Sequence, residues 1–147
     1  MRKMVQTLLV DGGTFPMAWP HAKRLFEKLF SDEWEYQYDI PSLHQLIIMQ
    51  QAQLWMANDE KEFFGAMVTQ IVDYPTGITA VKVLWMAGAD IDEIIPKFDV
   101  FEEWALKQGA TVLEVTGRPG WEKKMRPLGF EKKYVTLSKV LKPETIH

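Results

Sequence analysis

Cysteine is absent from the 147-residue chain, which excludes disulfides, thiolate zinc sites, iron–sulfur clusters and a cysteine nucleophile together. Stability therefore rests on packing. No uninterrupted apolar run approaches the roughly 18 residues of a membrane-spanning helix, and the opening Met-Arg-Lys-Met-Val-Gln has no apolar stretch of signal-peptide length. A membrane or secreted destination is not expected. His21, His44 and His147 stand far apart without a His-x-x-x-His pair, so no metal site is expected. Asp11-Gly12-Gly13 lacks the Lys-Ser/Thr that completes a phosphate loop.

What is present describes an ordinary folded domain. A mass of 17.1 kDa, with 47% hydrophobic and 25% charged residues, suits a single domain spanning residues 1–147 and lies far from the signature of disorder. The formal charge of -3 conceals an uneven distribution. Residues 1–106 carry 8 basic and 16 acidic side chains, whereas residues 107–142 carry 9 and 3. This basic C-terminal quarter, with Arg118, Lys123, Lys124, Arg126, Lys132 and Lys133, offers a surface for phosphate groups or for an acidic partner. A solvated face balancing the acidic part explains the same charges more simply.

Apolar periodicity orders the elements. Residues 4–10 read as an opening strand ended by the Asp11-Gly12-Gly13 turn. After Pro20, residues Ala22, Leu25, Phe26, Leu29 and Phe30 recur at helical spacing. Ser42, following Pro41, is placed to cap a second helix that fades near Gln51. Residues 53–57, 62–72 and 78–86 form an antiparallel meander, turned at 58–61 and at Pro75-Thr76-Gly77. Residues 92–108 carry one apolar helical face stopped by Gly109, with a bend or a late start expected at Pro96. A strand over 111–116, a loop at Gly117-Arg118-Pro119-Gly120, a short helix over 121–128 stopped by Gly129, and a final strand over 132–141 complete an α/β (α+β) order. The sheet is expected to be mixed and mostly antiparallel, with helices on both faces.

This order resembles the GCN5-related N-acetyltransferase (GNAT) superfamily. Ala52-Gln53-Leu54-Trp55-Met56-Ala57 looks like its second strand, and Pro127-Leu128-Gly129-Phe130 like the ending of its last helix. Glu102-Glu103-Trp104-Ala105 through Gly109, then Gly117-Arg118-Pro119-Gly120-Trp121 and Leu128-Gly129-Phe130, are similar to a GNAT-like group of tailed phages and prophages. The resemblance implies an acyl-CoA N-acyltransferase fold with a cleft between the fourth and fifth strands. It also implies acetyl-CoA as cofactor, held on the backbone of Val83, Leu84 and Trp85 and on Ala87, Gly88 and Ala89.

The corresponding loop, Trp85-Met86-Ala87-Gly88-Ala89-Asp90-Ile91-Asp92-Glu93, has one glycine, no basic residue and three carboxylates, which repel a polyphosphate. A tyrosine that protonates the departing thiolate in many family members is matched here by Met125. Glu114 is the candidate general base and Tyr134 the substitute acid, although strand alternation explains both as packing or solvent-facing residues. The first expectation is a phage-type GNAT-fold protein with a degenerate cofactor site. It would act through a phage or host protein partner bound at Arg118, Lys123, Lys124 and Arg126, in the host cytoplasm or in a virion. The alternative is an active acetyl-CoA-dependent N-acetyltransferase. Nucleic acid stacked on the tryptophans beside the basic quarter is a third and weaker reading. Oligomeric state is not legible.

Overall fold

The structure, a computed structural model, describes residues 2–32, 36–88, 91–117 and 119–141. Its elements follow as β1 (Gln6–Leu9), α1 (Phe15–Asp32), α2 (Ile40–Ile48), β2 (Gln53–Asn58), β3 (Phe63–Asp73), β4 (Thr79–Gly88), α3 (Ile91–Ile94), α4 (Phe98–Lys107), β5 (Val112–Val115) and α5 (Pro119–Met125). The five strands form one sheet in chain order. β1 to β4 pair antiparallel, and β5 joins β4 in parallel. That change of direction follows from the connections: tight turns join β2, β3 and β4, whereas β4 reaches β5 through the helical crossover α3–α4.

Period-two alternation gives the sheet two buried faces. Trp55, Phe64, Met67, Val81 and Val83 pack beneath Ile94, Phe98, Phe101 and Ala105 of the crossover. Leu54, Met56, Ala66, Val68 and Leu84 face the other way, against Ala18, Ala22 and Phe26 of α1 and Leu43 of α2. The buried Trp55 indole donates to Thr69 Oγ1 at 3.1 Å, and that hydroxyl donates to Gln53 Oε1 at 2.9 Å. The Trp55 indole and the Thr69 hydroxyl are thereby satisfied, whereas the buried Thr7 hydroxyl in the same layer has no partner. Among the described residues no helix is long and apolar enough to cross a membrane.

Three expectations are corrected, and the bend expected at Pro96 is found as a break. α1 begins at Phe15, ahead of Pro20, because Asp11 Oδ1 accepts from the Thr14 amide at 2.8 Å and starts the helix directly from the glycine turn. Pro20 then sits on the exposed side of the helix. α2 is capped by Asp39 rather than Ser42; Ser42 closes the reciprocal capping box, and Pro41 lies in the first turn. The crossover breaks at Pro96 into α3, a 3₁₀ turn over Ile95–Lys97, and α4. The final strand is absent: residues 131–141 have no regular structure and all are exposed, since they cover no apolar surface and join no ladder.

Arg2 ties the chain start to the β2–β3 turn. Its guanidinium reaches Asp59 at 2.8 Å and Glu62 at 3.0 Å and lies 4.0 Å from the Phe64 ring centroid. Asp59 Oδ1 also accepts from the Glu62 and Lys61 amides, both at 2.8 Å. Those amides, with Arg2, lower the Asp59 carboxyl to about 2. A depressed carboxyl stabilises the fold above its unfolded value and loses that contribution as pH falls through the folded value. Acid unfolding followed by circular dichroism should therefore show a stability loss between about pH 4 and 2, and Asp59→Asn should flatten that part of the curve.

Candidate functional site

The sheet opens at one place. β4 and β5 are paired only from Ala80 with Val112 to Val83 with Val115, yet β4 runs on to Gly88 while still paired with β3. From Leu84 onward its β5-facing edge has no strand neighbour. A bulge marks the point of departure: Val68 pairs with Trp85 and Thr69 with Val83, leaving Leu84 as the extra residue. Leu84 and Trp85 consequently both pack on the α1–α2 side, and the added twist carries β4 away from β5.

The freed segment presents backbone. Val83, Leu84 and Ala87 are buried, so what β4 offers along its open edge is a row of amides and carbonyls. It also holds the Trp85 indole N–H, buried and without a hydrogen-bond acceptor, in a ring packed edge-on against Phe30 at 5.3 Å. At its end Gly88 adopts φ +125° and pairs with Gly65. A Cβ there would overlap the Phe64 carbonyl oxygen and come within 2.7 Å of Gly65 Cα. The described cofactor candidates Leu84, Trp85, Ala87 and Gly88 thus form one continuous edge, and Val83, still paired with Val115, closes the sheet beside it; Ala89 and Asp90 lie outside the described residues. An extended ligand carrying amides fits this edge in the way an added strand does.

Charge around the opening is balanced within the chain. Lys124 of α5 reaches Asp92 of α3 at 3.4 Å, spanning the elements that leave the two diverging strands. Arg126 pairs with Glu122 one turn earlier at 2.9 Å. Lys123 is exposed, and Arg118 lies outside the described residues. Two of the proposed partner contacts are therefore already in ion pairs, of the kind that surface screening keeps weak. Among the described residues no group of three His, Asp or Glu side chains could hold a metal ion.

Glu114 lies one rung short of the opening, in the last closed stretch of the sheet. It pairs in register with Lys82 in the closed part of the sheet, and the Tyr74 hydroxyl donates to its two oxygens at 2.6 and 3.1 Å. The Glu114 carboxylate, through that hydrogen bond, holds the Tyr74 phenol above its ordinary value, with a small contribution from Tyr134. Glu114 and Tyr74 thus meet beside β5. Sequence reading missed Tyr74, because a tyrosine beside a Pro-Thr-Gly turn carries no signal of a partner forty positions on. Met125, at the position of the family's acid, is buried in the core. A half-open pocket beneath the crossover is walled by Trp55, Met67, Met86, Phe98 and Phe101.

Gly117 explains the turn into α5. Its position faces the Trp121 ring, where a Cβ would lie 3.1 Å from Cγ, and Trp121 is half-buried against the first layer. Gly117 and Trp121 thus have a packing role in this turn. Trp121→Ala should cost about 2 kcal/mol, below the range for a fully buried tryptophan. Chemical denaturation with an unchanged midpoint would instead make the turn a contact surface.

Compared by sequence, the chain matches no family model and no curated protein. Compared by structure, it resembles many solved acetyltransferases. A ribosomal-protein-alanine N-acetyltransferase from Brucella melitensis biovar Abortus 2308 superposes with a TM-score of 0.70 at 13% identity, covering 93% of this chain and 99% of that one. An aminoglycoside acetyltransferase from an uncultured soil metagenomic sample, solved with sisomicin, gives 0.69 at 14% identity over 94% and 97%. A predicted acetyltransferase from Clostridium acetobutylicum, solved with acetyl-CoA, gives 0.64 at 12% identity over 92% and 96%. At such identities the likeness is one of fold: an open, mixed sheet of acyltransferase type. More particularly, the chain has the GNAT fold, shared with a GNAT family acetyltransferase of Staphylococcus aureus at a TM-score of 0.64 and 11% identity, covering 96% of this chain and 100% of that one.

Proposed function

We propose that the protein binds acetyl-CoA along the freed edge of β4 and transfers the acetyl group to an amine. The observation that carries this reading is the unpaired run from Leu84 to Gly88, opened by the Leu84 bulge at the place where β4 leaves β5. In the transfer the amine nitrogen forms a bond to the thioester carbonyl carbon, the carbon–sulfur bond breaks, and CoA leaves as the thiol. The proton lost by the amine passes to Glu114, whose carboxylate Tyr74 orients. Tyr134, an exposed residue after α5, supplies a proton to the departing sulfur. The likeness to acetyltransferases over almost the whole chain supports the class of reaction. A panel of amine acceptors assayed for CoA thiol release tests it: release that depends on both acetyl-CoA and an acceptor is expected, and its absence across the panel counts against transfer.

A second reading has its own observation. Met125 is buried where the family's acid would stand, and Lys124, the cation beside the opening, is engaged by Asp92. On this reading the protein is a phage-type GNAT-fold component, in a virion or in the host cytoplasm, working through a protein partner on the basic face of α5. Reversal of Lys123, Lys124 and Arg126 to Glu would then weaken partner binding and change its salt dependence. Nucleic acid on the same face would show a steep loss of affinity with added salt.

A further inference from the structure

Lys82 is a cation without a counter-charge. It stands on β4 in one cross-strand row with Gln70 of β3 and Glu114 of β5, a single residue before the last closed rung. Val81 and Val83 face the layer beneath the crossover, so alternation turns Lys82 to the other side of the sheet, the side of α1 and α2. Both of its neighbours in the row are engaged elsewhere. The Gln70 amide donates to the Gln51 carbonyl at 3.2 Å, and both Glu114 oxygens accept from the Tyr74 hydroxyl. Asp73, at the same end of the sheet, accepts from the Thr79 hydroxyl at 2.7 Å. Among the described residues no carboxylate forms an ion pair with Lys82, whereas Lys124 and Arg126 are both paired. Yet Lys82 is half-buried, so its ammonium gives up hydration that no partner offsets.

We infer that Lys82 selects the acceptor, and that the acceptor is an amine carrying a carboxylate a few bonds from its nitrogen, as a free amino acid does. In the transfer proposed above, on which this assignment rests, the amine comes to Glu114. Neighbouring strands stand about 4.8 Å apart, so a carboxylate two to four bonds from that nitrogen comes within reach of the Lys82 ammonium. A zwitterion then meets opposite charge at each end: its ammonium faces Glu114 and its carboxylate faces Lys82. The ion pair separates an amino acid from a neutral amine, and partial burial strengthens it relative to open water. A polyamine is disfavoured by the same arrangement, because its second cation would meet Lys82.

Titration of the isotope-labelled full chain with L-alanine, L-leucine and L-phenylalanine, and with the matching amino acid amides, tests this by NMR without requiring turnover. At least one acid should bind about 10–100-fold more tightly than its amide, the usual worth of one charged hydrogen-bond partner, with shifts centred on Lys82 and Glu114. Lys82→Met should erase that preference and Lys82→Arg should keep it, both with an unchanged circular dichroism spectrum and unchanged acetyl-CoA affinity. Equal binding of acids and amides, no binding of any acid, or a preference that survives Lys82→Met overturns the inference. So does a loss of acetyl-CoA affinity in Lys82→Met, which would assign the ammonium to a CoA phosphate. Thiol release from acetyl-CoA, measured on the same pairs, keeps the two readings apart. Selective binding of an acid without release upholds the carboxylate site and counts against transfer, whereas release with no preference for the acid upholds transfer and refutes the site.

Discussion

Gly88→Ala should lower stability by about 2–4 kcal/mol and abolish cofactor binding. Two costs add at this position. The backbone sits at φ +125°, where a side chain is strained, and the new methyl would collide with the Phe64 carbonyl oxygen and with Gly65 Cα. Both obstacles are backbone, so no rotamer change relieves them. The last rungs between β3 and β4 would have to open, displacing the edge on which the ligand is proposed to lie. Gly77→Ala is the matched control, because Gly77 has φ +88° but nothing within 4 Å of the added Cβ. That change should cost only the conformational term, about 1 kcal/mol. Urea denaturation of the two variants separates strain from collision, and equal losses would mean that the close approach of Gly65 and Gly88 contributes nothing.

Glu114→Gln is expected to lower turnover by about 10²–10⁴-fold, the usual range for loss of a general base, while leaving the affinity for acetyl-CoA close to that of the parent chain. Amide for carboxylate keeps the shape and removes the proton acceptor. Tyr74→Phe should do less, because the hydroxyl orients Glu114 and takes no proton itself. Its effect should appear mainly in kcat and stay within about tenfold, at least about ten times smaller than that of the base. Equal turnover in Glu114→Gln and the parent chain would reduce the pair to a structural hydrogen bond across β3 and β5.

Sequence carried much of this fold because local chemistry agreed with it. The meander from β2 to β4, the stop at Gly109, the break at Pro96 and the left-handed Gly129 after α5 are all signalled by residues whose conformational preferences act over a few positions. The start of α1 was hidden because Pro20 looks like a first-turn proline, whereas an exposed helix side tolerates the missing amide once Asp11 and Thr14 cap the chain. The final strand was misread for the opposite reason: its composition suits a strand, but strand formation requires an edge, and composition does not say whose. At the site, the resemblance named Val83 to Gly88 as candidate cofactor contacts, which titration with acetyl-CoA tests. The Leu84 bulge, the Tyr74–Glu114 hydrogen bond and the Asp92–Lys124 pair were not legible. Each arises from register or from contacts between distant elements, which no short stretch of sequence encodes.

The central claim is that β4, freed from β5 at Leu84, presents a backbone edge that binds acetyl-CoA. Calorimetric titration of acetyl-CoA into the purified chain tests it most directly. One site per chain with submillimolar affinity, retained in Glu114→Gln and lost in Gly88→Ala, is the predicted result. No heat of binding in the parent chain at millimolar acetyl-CoA, with the fold intact by circular dichroism, would contradict it.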